Sequence, residues 1–396
     1  MKTIVWAFAL CSIITACTGS QYEKVFTVKT GDHAMHHTPV YVDFDEELFL
    51  GVEDICITSK GKNIPAQMEI LPSGGVRIWW VVNQEAGESV NYGLTLNKVS
   101  KHVQFNWEHQ SPSSLILHYA GQPLLGYEHP TFDQNNIEDT KKPFHHVYNP
   151  LGTEPITKGL GGLFPHHRGI FFGYNHVHLA NERVDIWHAR NGERSEHASF
   201  TSTLEGAVMG GHVLKILWKD TDGNPFIEET REVRVFNQGD GESLIDFRST
   251  LKALRDTVRL AGDLQHAGVQ FRAAQYVADN PDKTRFIRPK GWDHLDPDKE
   301  LRREHWEGMP WNAMHFVVDG DPFTVAYLSH PENAENTQMS ERLYGRFGEF
   351  FPALLTPDKP LSLHYRFWVK AGDAPLVDDI ELKYNALAQP PEISIK

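Results

Sequence analysis

The sequence predicts an all-β protein: a small N-terminal β-sandwich over residues 25–100, then a large two-sheet antiparallel β-sandwich, supersandwich-like, over residues 102–388. Three observations carry this. Short runs of β-branched and aromatic residues, several alternating with polar ones, recur along the chain, the period-two signature of half-buried strands. Turn residues punctuate them, most clearly Thr221-Asp-Gly-Asn224 between HVLKILWKD and PFIEETREVRVF, an Asp-Gly pair of hairpin type. No helical period with caps stands out except a short stretch near residues 296–306.

Residues 1–17 stand apart as a leader. Lys2 precedes an apolar run from Ile4 to Ile14 that is too short to span a bilayer and has the shape of a signal-peptide core. Thr15 and Ala16 before Cys17 resemble a bacterial lipobox, so Cys17 is the expected lipidation site. Thr18, Gly19 and Ser20 follow it without an Asp at the next position, which favours an outer-membrane anchor on the periplasmic or cell-surface side. Of three cysteines, Cys11 lies in the leader and Cys17 carries lipid, so Cys56 is left alone, without a disulfide partner or a cysteine-based zinc site.

The N-terminal module is expected from KVFTVKT, TPVYVDF, DICITSK, VRIWWVV and SVNYGLTL, with turns at Gly61-Lys-Asn and Pro72-Ser-Gly-Gly75. His33, His36 and His37 fall in what reads as a polar loop. From His102 onward VQFNWEHQ and SLILHYAG flank Ser111-Pro-Ser-Ser114, a second hairpin signal. GQPLLGYEHPTF and a polar connection, residues 133–142, lead into a histidine-rich stretch, and residues 190–197 read as a loop on its rim. SLIDFRSTLKAL and DTVRLAG continue the sheet.

A formal net charge of −14 excludes sequence-independent nucleic-acid binding, which needs a basic face to neutralise phosphates. Nothing in the sequence signals an oligomeric state.

Candidate chemistry concentrates in residues 143–188, which hold seven histidines: His145, His146, His166, His167, His176, His178 and His188. Arg168, Asp185 and Trp187 lie among them. Histidine titrates near neutral pH and serves as acid, base or metal ligand. As one strand, residues 168–179 put Arg168, Tyr174, His176 and His178 on one face with Ile170 and Phe172, the expected wall of a site. Downstream, His266 and Arg272 share a parity opposite to Val269 and Phe271, and His330 and Asn333 end the strand FTVAYLS. Arg342, Tyr344 and Arg346 follow, and LSLHYRFWV turns His364, Arg366 and Trp368 away from Leu363, Tyr365 and Phe367. Buried arginines need partners, so Arg272, Arg342, Arg346 and Arg366 near an inner face imply carboxylates there, from the protein or from a ligand.

The segments PHHRG (165–169), DIWH (185–188), LQHAGVQFR, YLSHPEN and ERLYGRFGEFF together resemble the bacterial family of domain of unknown function 6807, over residues 142–369. Its members are often labelled "methane oxygenase PmoA". That label does not suit this chain, because a methane-oxidising membrane subunit needs several spans of about 20 apolar residues. The resemblance implies a secreted or lipid-anchored protein of polysaccharide degradation. For some such proteins it implies an oligosaccharide dehydratase, which removes water from a sugar ring.

The expected function is therefore that of a carbon–oxygen lyase acting by β-elimination on acidic, uronate-containing, algal-type oligosaccharides. Elimination needs a base for the proton α to the carboxylate, an acid for the leaving oxygen, and cationic donors on the carboxylate. His166, His167 and His188 are the candidate base and acid, with Tyr344 an alternative acid; the sequence leaves their roles open. Arg168 and Arg272 are candidate carboxylate clamps, and His176, His178, Trp187, His266, His330, Asn333 and Arg342 complete the expected substrate-binding set. No cofactor is required. A second expectation is a metal-dependent hydrolase or oxidase of sugars, its divalent metal held by His166, His176, His178, His188 and Asp185. A third is a non-catalytic glycan-binding lipoprotein using Trp80, Trp187, Trp306 and Trp311.

Overall fold

The computed structural model describes residues 24–396 apart from 72–73, 98–101, 181, 240, 264 and 297–302. The leader, Cys17 and residues 297–302 of the stretch expected as a short helix lie outside the described residues; Arg303–Trp306 forms a 3-10 turn. No helix among the described residues is long and apolar enough to cross a membrane. The architecture is all-β and antiparallel throughout.

Lys24–Lys29, Ser89–Leu96, Ile55–Ser59 and Lys62–Ile64 make one sheet of the N-terminal module; Met35–Phe44, Val76–Gln84 and Ala66–Ile70 make the other. Alternation along the strands turns Phe26, Val28, Ile57, Ile78, Trp80, Val82 and Leu94 into the space between the sheets, where Trp80 stacks on Phe26 at 5.2 Å. Cys56 is buried and free, as its apolar setting suggests. His36 and His37 are not in a loop. They open the strand Met35–Phe44, where the pairing slips between Met35 and Thr38 and His37 takes a φ of 48°. The final strand, Glu392–Ile395, pairs with Lys24–Lys29 and completes the first sheet.

Two eight-stranded sheets form the large sandwich. The front sheet runs in the order Gln338–Arg342, Arg346–Phe350, Ala267–Arg272, Gly169–Tyr174, Phe144–Val147, Gln122–Glu128, Ser114–Tyr119 and Phe105–Ser111. The back sheet runs Arg194–Leu204, Met209–Lys219, Pro225–Gly239, Glu242–Ala253, Leu361–Ala371, Asp321–Ser329, Trp311–Val318 and Arg285–Ile287. Both expected hairpins are present, and Leu363, Tyr365 and Phe367 face the core as their alternation requires. The segment expected as a rim loop becomes strand from Arg194. Its charges allow this on an edge, because Glu196 accepts from Arg194 Nε and Lys219 Nζ, each at 2.7 Å.

The helix Val377–Ala388 went unforeseen, although its signals are legible. Asp378 and Asp379 occupy its first turn, where they suit the helix dipole, and the Asp379 carboxylate accepts the Leu376 N–H at 3.0 Å. Ile380, Tyr384 and Leu387 fall on one face. That face packs with Trp79, Trp311 and Trp368, joining the N-terminal module to the outside of the back sheet. Ile380 is fully buried there, so Ile380→Ala is expected to cost about 2–5 kcal/mol in denaturant unfolding. A loss below about 0.5 kcal/mol would show that this contact does not hold the modules together.

Candidate active site

The strand Gly169–Tyr174 determines where the site lies. Ile170, Phe172 and Tyr174 turn inward to the sandwich core, and Phe171 turns outward to join Phe144 and Trp187. The structure thus reverses the expected face: the row of Ile170, Phe172 and Tyr174 is core, because three large apolar side chains bury more surface inward than the other row could. The site is built on the outward side. Gly173 makes it possible, since a Cβ there would lie 3.1 Å from Ile186 O and 3.4 Å from Trp187 Cα. With only hydrogen in the way, the chain folds back and lays residues 185–188 flat on the strand. The N–H groups of Ile186 and Trp187 both donate to Tyr174 O, at 2.9 and 3.1 Å.

That turn delivers the first of two similar units. Asp185 accepts from the His188 backbone N–H at 2.8 Å and from His188 Nδ1 at 2.8 Å. At the head of the neighbouring strand Asp263 accepts from His266 Nδ1 at 2.9 Å and from Asn175 Nδ2 at 2.7 Å. Desolvation would raise both carboxyls, but the bonds from their histidines outweigh it and hold Asp185 below, and Asp263 well below, the usual range. An ionised carboxylate only accepts, so each Nδ1 carries a proton and donates it to its aspartate, which leaves Nε2 of each ring as the nitrogen not held by the aspartate. The rings of His188 and His266 are 5.1 Å apart, and His166 lies 4.7 Å from His188.

His167 sits beneath this group. It stacks on Phe171 at 5.5 Å, meets Trp187 edge-on at 5.3 Å and lies parallel to the Tyr344 ring at 6.3 Å. Tyr344 is half-buried on the hairpin between Gln338–Arg342 and Arg346–Phe350, where its hydroxyl accepts from Arg346 Nε at 3.2 Å. Lys142 and Lys158, neither singled out in the sequence, are also buried here. Desolvation first, then the charges of Arg272 and Arg168, push the Lys158 ammonium down to about 7. Asp263 was likewise overlooked as a partner for His266, although Asp185-Ile-Trp-His188 and Asp263-Leu-Gln-His266 repeat one spacing.

Several expected residues are placed elsewhere. Arg168 is fully buried, and its guanidinium is taken up by Pro165 O at 2.8 Å, Asp139 O at 3.2 Å and Glu138, so it braces the loop and does not clamp substrate. His145 is in the core, its Nε2 2.9 Å from His212 Nε2, and His146 bonds Thr157 at 3.0 Å. His178 lies across from Arg183 and Arg259 in a small sheet, and His176 sits on the margin facing Arg183 and Asp263. Of the expected ligand set, His166, His188 and Asp185 are brought together and His176 and His178 lie apart; among the described residues no three His, Cys, Asp or Glu side chains converge as metal ligands. His330 stacks on His364 at 5.0 Å, and Asn333 binds the His364 backbone N–H at 2.7 Å. Both line a different cleft, bordered by Tyr41 and Arg248, because their strand belongs to the back sheet. Arg342 lies at the Tyr344 hairpin and donates to its neighbour's carbonyl, Glu341 O. Trp80, Trp187, Trp306 and Trp311 are all buried, so none presents a face to a sugar.

A model of a family of unknown function (DUF6807) matches residues 114–382, a span that contains both histidine–aspartate units and Tyr344. No curated protein matches the chain.

Half-buried His166 and buried His167 make stability depend on pH. Desolvation, then Lys142 and His188, push His166 down to about 2, and desolvation with Arg346 holds His167 well below its ordinary value. In the unfolded chain both titrate near about 6.5. The unfolded state therefore binds protons that the native state refuses, and stability present above about pH 6.5 is lost as pH falls. Denaturation midpoints at pH 7, 6 and 5 should fall less steeply in His166→Gln than in the parent. Equal slopes would mean that His166 takes a proton in the native protein at its ordinary value.

Proposed function

The chain belongs to the DUF6807 family, and from that premise we propose that it is a carbon–oxygen lyase, an oligosaccharide dehydratase that works by β-elimination on acidic sugars. The pair of aspartate-held imidazoles carries this reading. His188 and His266 stand 5.1 Å apart with Nδ1 of each bound to a carboxylate, so two Nε2 atoms are fixed in orientation beside each other. Two such groups are what an elimination asks of a protein.

The step balances without an oxidant or cofactor. One imidazole takes the proton from the carbon that bears the carboxylate. The electron pair left behind forms the carbon–carbon double bond, and the carbon–oxygen bond at the next carbon breaks. The second imidazole, starting protonated, gives its proton to the departing oxygen, which leaves as water or as a sugar hydroxyl. Asp185 and Asp263 keep the rings in register. Cationic surroundings, with Lys142 and Arg272 nearby, favour the negative charge that gathers on the substrate carboxylate as the proton departs. Secretion through the leader, a lipid tether at Cys17 on the outer membrane and a role in polysaccharide degradation belong to the same proposal, supported by the lipobox-like sequence and the resemblance at PHHRG and DIWH.

Mass spectrometry of acidic algal oligosaccharides incubated with the protein, with and without chelator, tests this. A product lighter by one water, absorbing in the ultraviolet and formed equally with chelator, is expected. His188→Ala and Asp263→Asn should each slow its formation by about 10²–10⁴-fold while the circular dichroism spectrum is unchanged. A heavier product, or activity that chelator abolishes, would overturn elimination in favour of a metal-assisted reaction. An unaltered substrate that still binds would favour a glycan-binding protein.

A further inference from the structure

Beside the two histidine–aspartate units, four basic side chains are buried without an ion-pair partner among the described residues. Lys142 is 1% exposed, Lys158 3%, and Arg272 and Arg346 0%. Their hydrogen-bond partners are all neutral. Lys142 donates to Trp187 O, and Lys158 to the carbonyls of Gly159, Phe164 and His167. Arg272 donates to Tyr344 O, and Arg346 to the Tyr344 hydroxyl, Gln270 and Ser340. Among the described residues no carboxylate forms an ion pair with any of the four.

Other buried arginines of this protein are treated differently. Arg231 holds Glu229 through Nε at 2.7 Å and Nη2 at 3.0 Å, Arg366 holds Asp246 through Nε at 2.5 Å and Nη2 at 2.9 Å, and Arg288 holds Glu341 through the same two atoms. Arg234 pairs with Glu69 and Arg168 with Glu138. Each of the first three uses the Nε–Nη2 edge of the guanidinium, the side-on fork that matches two carboxylate oxygens. On Arg272 that same edge is buried and unpartnered. Next to it, both ring nitrogens of His167 are buried and unpartnered, as is Trp187 Nε1. Strand register sets Arg272 beside Gly169, two residues after His167, on one side and beside Arg346 on the other.

Burying a charge without a partner costs several kcal/mol, and a protein interior keeps such a group only where something else supplies the compensation. We infer that Arg272 and His167, with the guanidinium of Arg346 and the amines of Lys142 and Lys158 behind them, form a seat for one oxyanion group, a uronate carboxylate or a sulfate ester, of an acidic sugar. The free edge of Arg272 takes two oxygens, and His167 donates from one nitrogen. In naming a sugar as the bearer of the anion, the inference rests on the proposed function. The seat adjoins His166, which leads on to His188, so an anion held here puts the neighbouring carbon of its ring toward the imidazole pair.

The test is binding without turnover. Thermal unfolding and titration calorimetry would compare sodium glucuronate, sodium sulfate and sodium chloride at matched ionic strength, on the parent protein, Arg272→Lys and Arg272→Met. Glucuronate or sulfate should raise the parent's Tm where chloride does not, and the anion that acts identifies the source as carboxylate or sulfate ester. Arg272→Lys keeps the charge and loses the fork, so it should bind at least tenfold more weakly. Arg272→Met removes an uncompensated charge and should unfold, without ligand, at the parent's temperature or above while losing the anion response. Equal responses in the parent and both variants, or none in any of them, would overturn the seat. The two readings fail separately: Arg272-dependent anion binding without a dehydrated product refutes elimination and keeps the seat, whereas dehydration by a protein whose anion binding ignores Arg272 does the reverse.

Discussion

Everything at the site depends on one packing constraint, the burial of Gly169–Tyr174 on both faces. Its inward row closes the sandwich core with Ile170, Phe172 and Tyr174, which fixes the strand's rotation. A one-residue slip would carry that whole row to the other side, so the register is strongly held. The outward row then has to accept a second layer of chain at close range. Gly173 admits it, the Tyr174 carbonyl binds it, and Trp187 seals it against Phe144 and Phe171. The position of His188 follows from these contacts and not from its own side chain.

The same layer brings polar chemistry to the half-buried outer side of the strand. Half-buried Asp185 and Asp263 are each satisfied by a histidine and by nearby N–H donors, so their partial loss of water is compensated inside the protein. The cations beyond His167 are not compensated in this way, as the neutral partners of Arg272 and Arg346 show. A protein optimised for stability alone would pair or remove such charges, as it does for Arg231 and Arg366. The contrast within one molecule separates arginines held by carboxylates of the fold from arginines that meet only neutral partners.

The N-terminal module is tied to the large sandwich at a distance from this chemistry. Helix Val377–Ala388 wedges its apolar face among Trp79, Trp311 and Trp368, and the last strand completes the module's first sheet. Tryptophans that look like sugar platforms in the sequence serve as this joint and as core. Their large apolar area suits both uses, and only burial distinguishes them.

The fold class was legible in the sequence because strand alternation and turn chemistry are local. KVFTVKT, VRIWWVV and LSLHYRFWV show their inward rows directly, and Asp222-Gly223 marks its hairpin. Local pattern also placed His166, His188 and Arg272 among the candidates, and two copies of the spacing Asp-x-x-His were present to be found at residues 185–188 and 263–266. Tertiary structure alone decided which face of Gly169–Tyr174 is core, that seven clustered histidines divide between core, loop and site, and that His266 comes beside His188. It also decided which arginines find a carboxylate. Arg168 and Arg272 look alike in sequence, yet one meets Glu138 from the short helix Ile137–Thr140 and the other forms no ion pair among the described residues. Alternation states which residues share a side of a strand, but the free energy that selects the side, and the partner that neutralises a buried charge, come from segments far away in the chain.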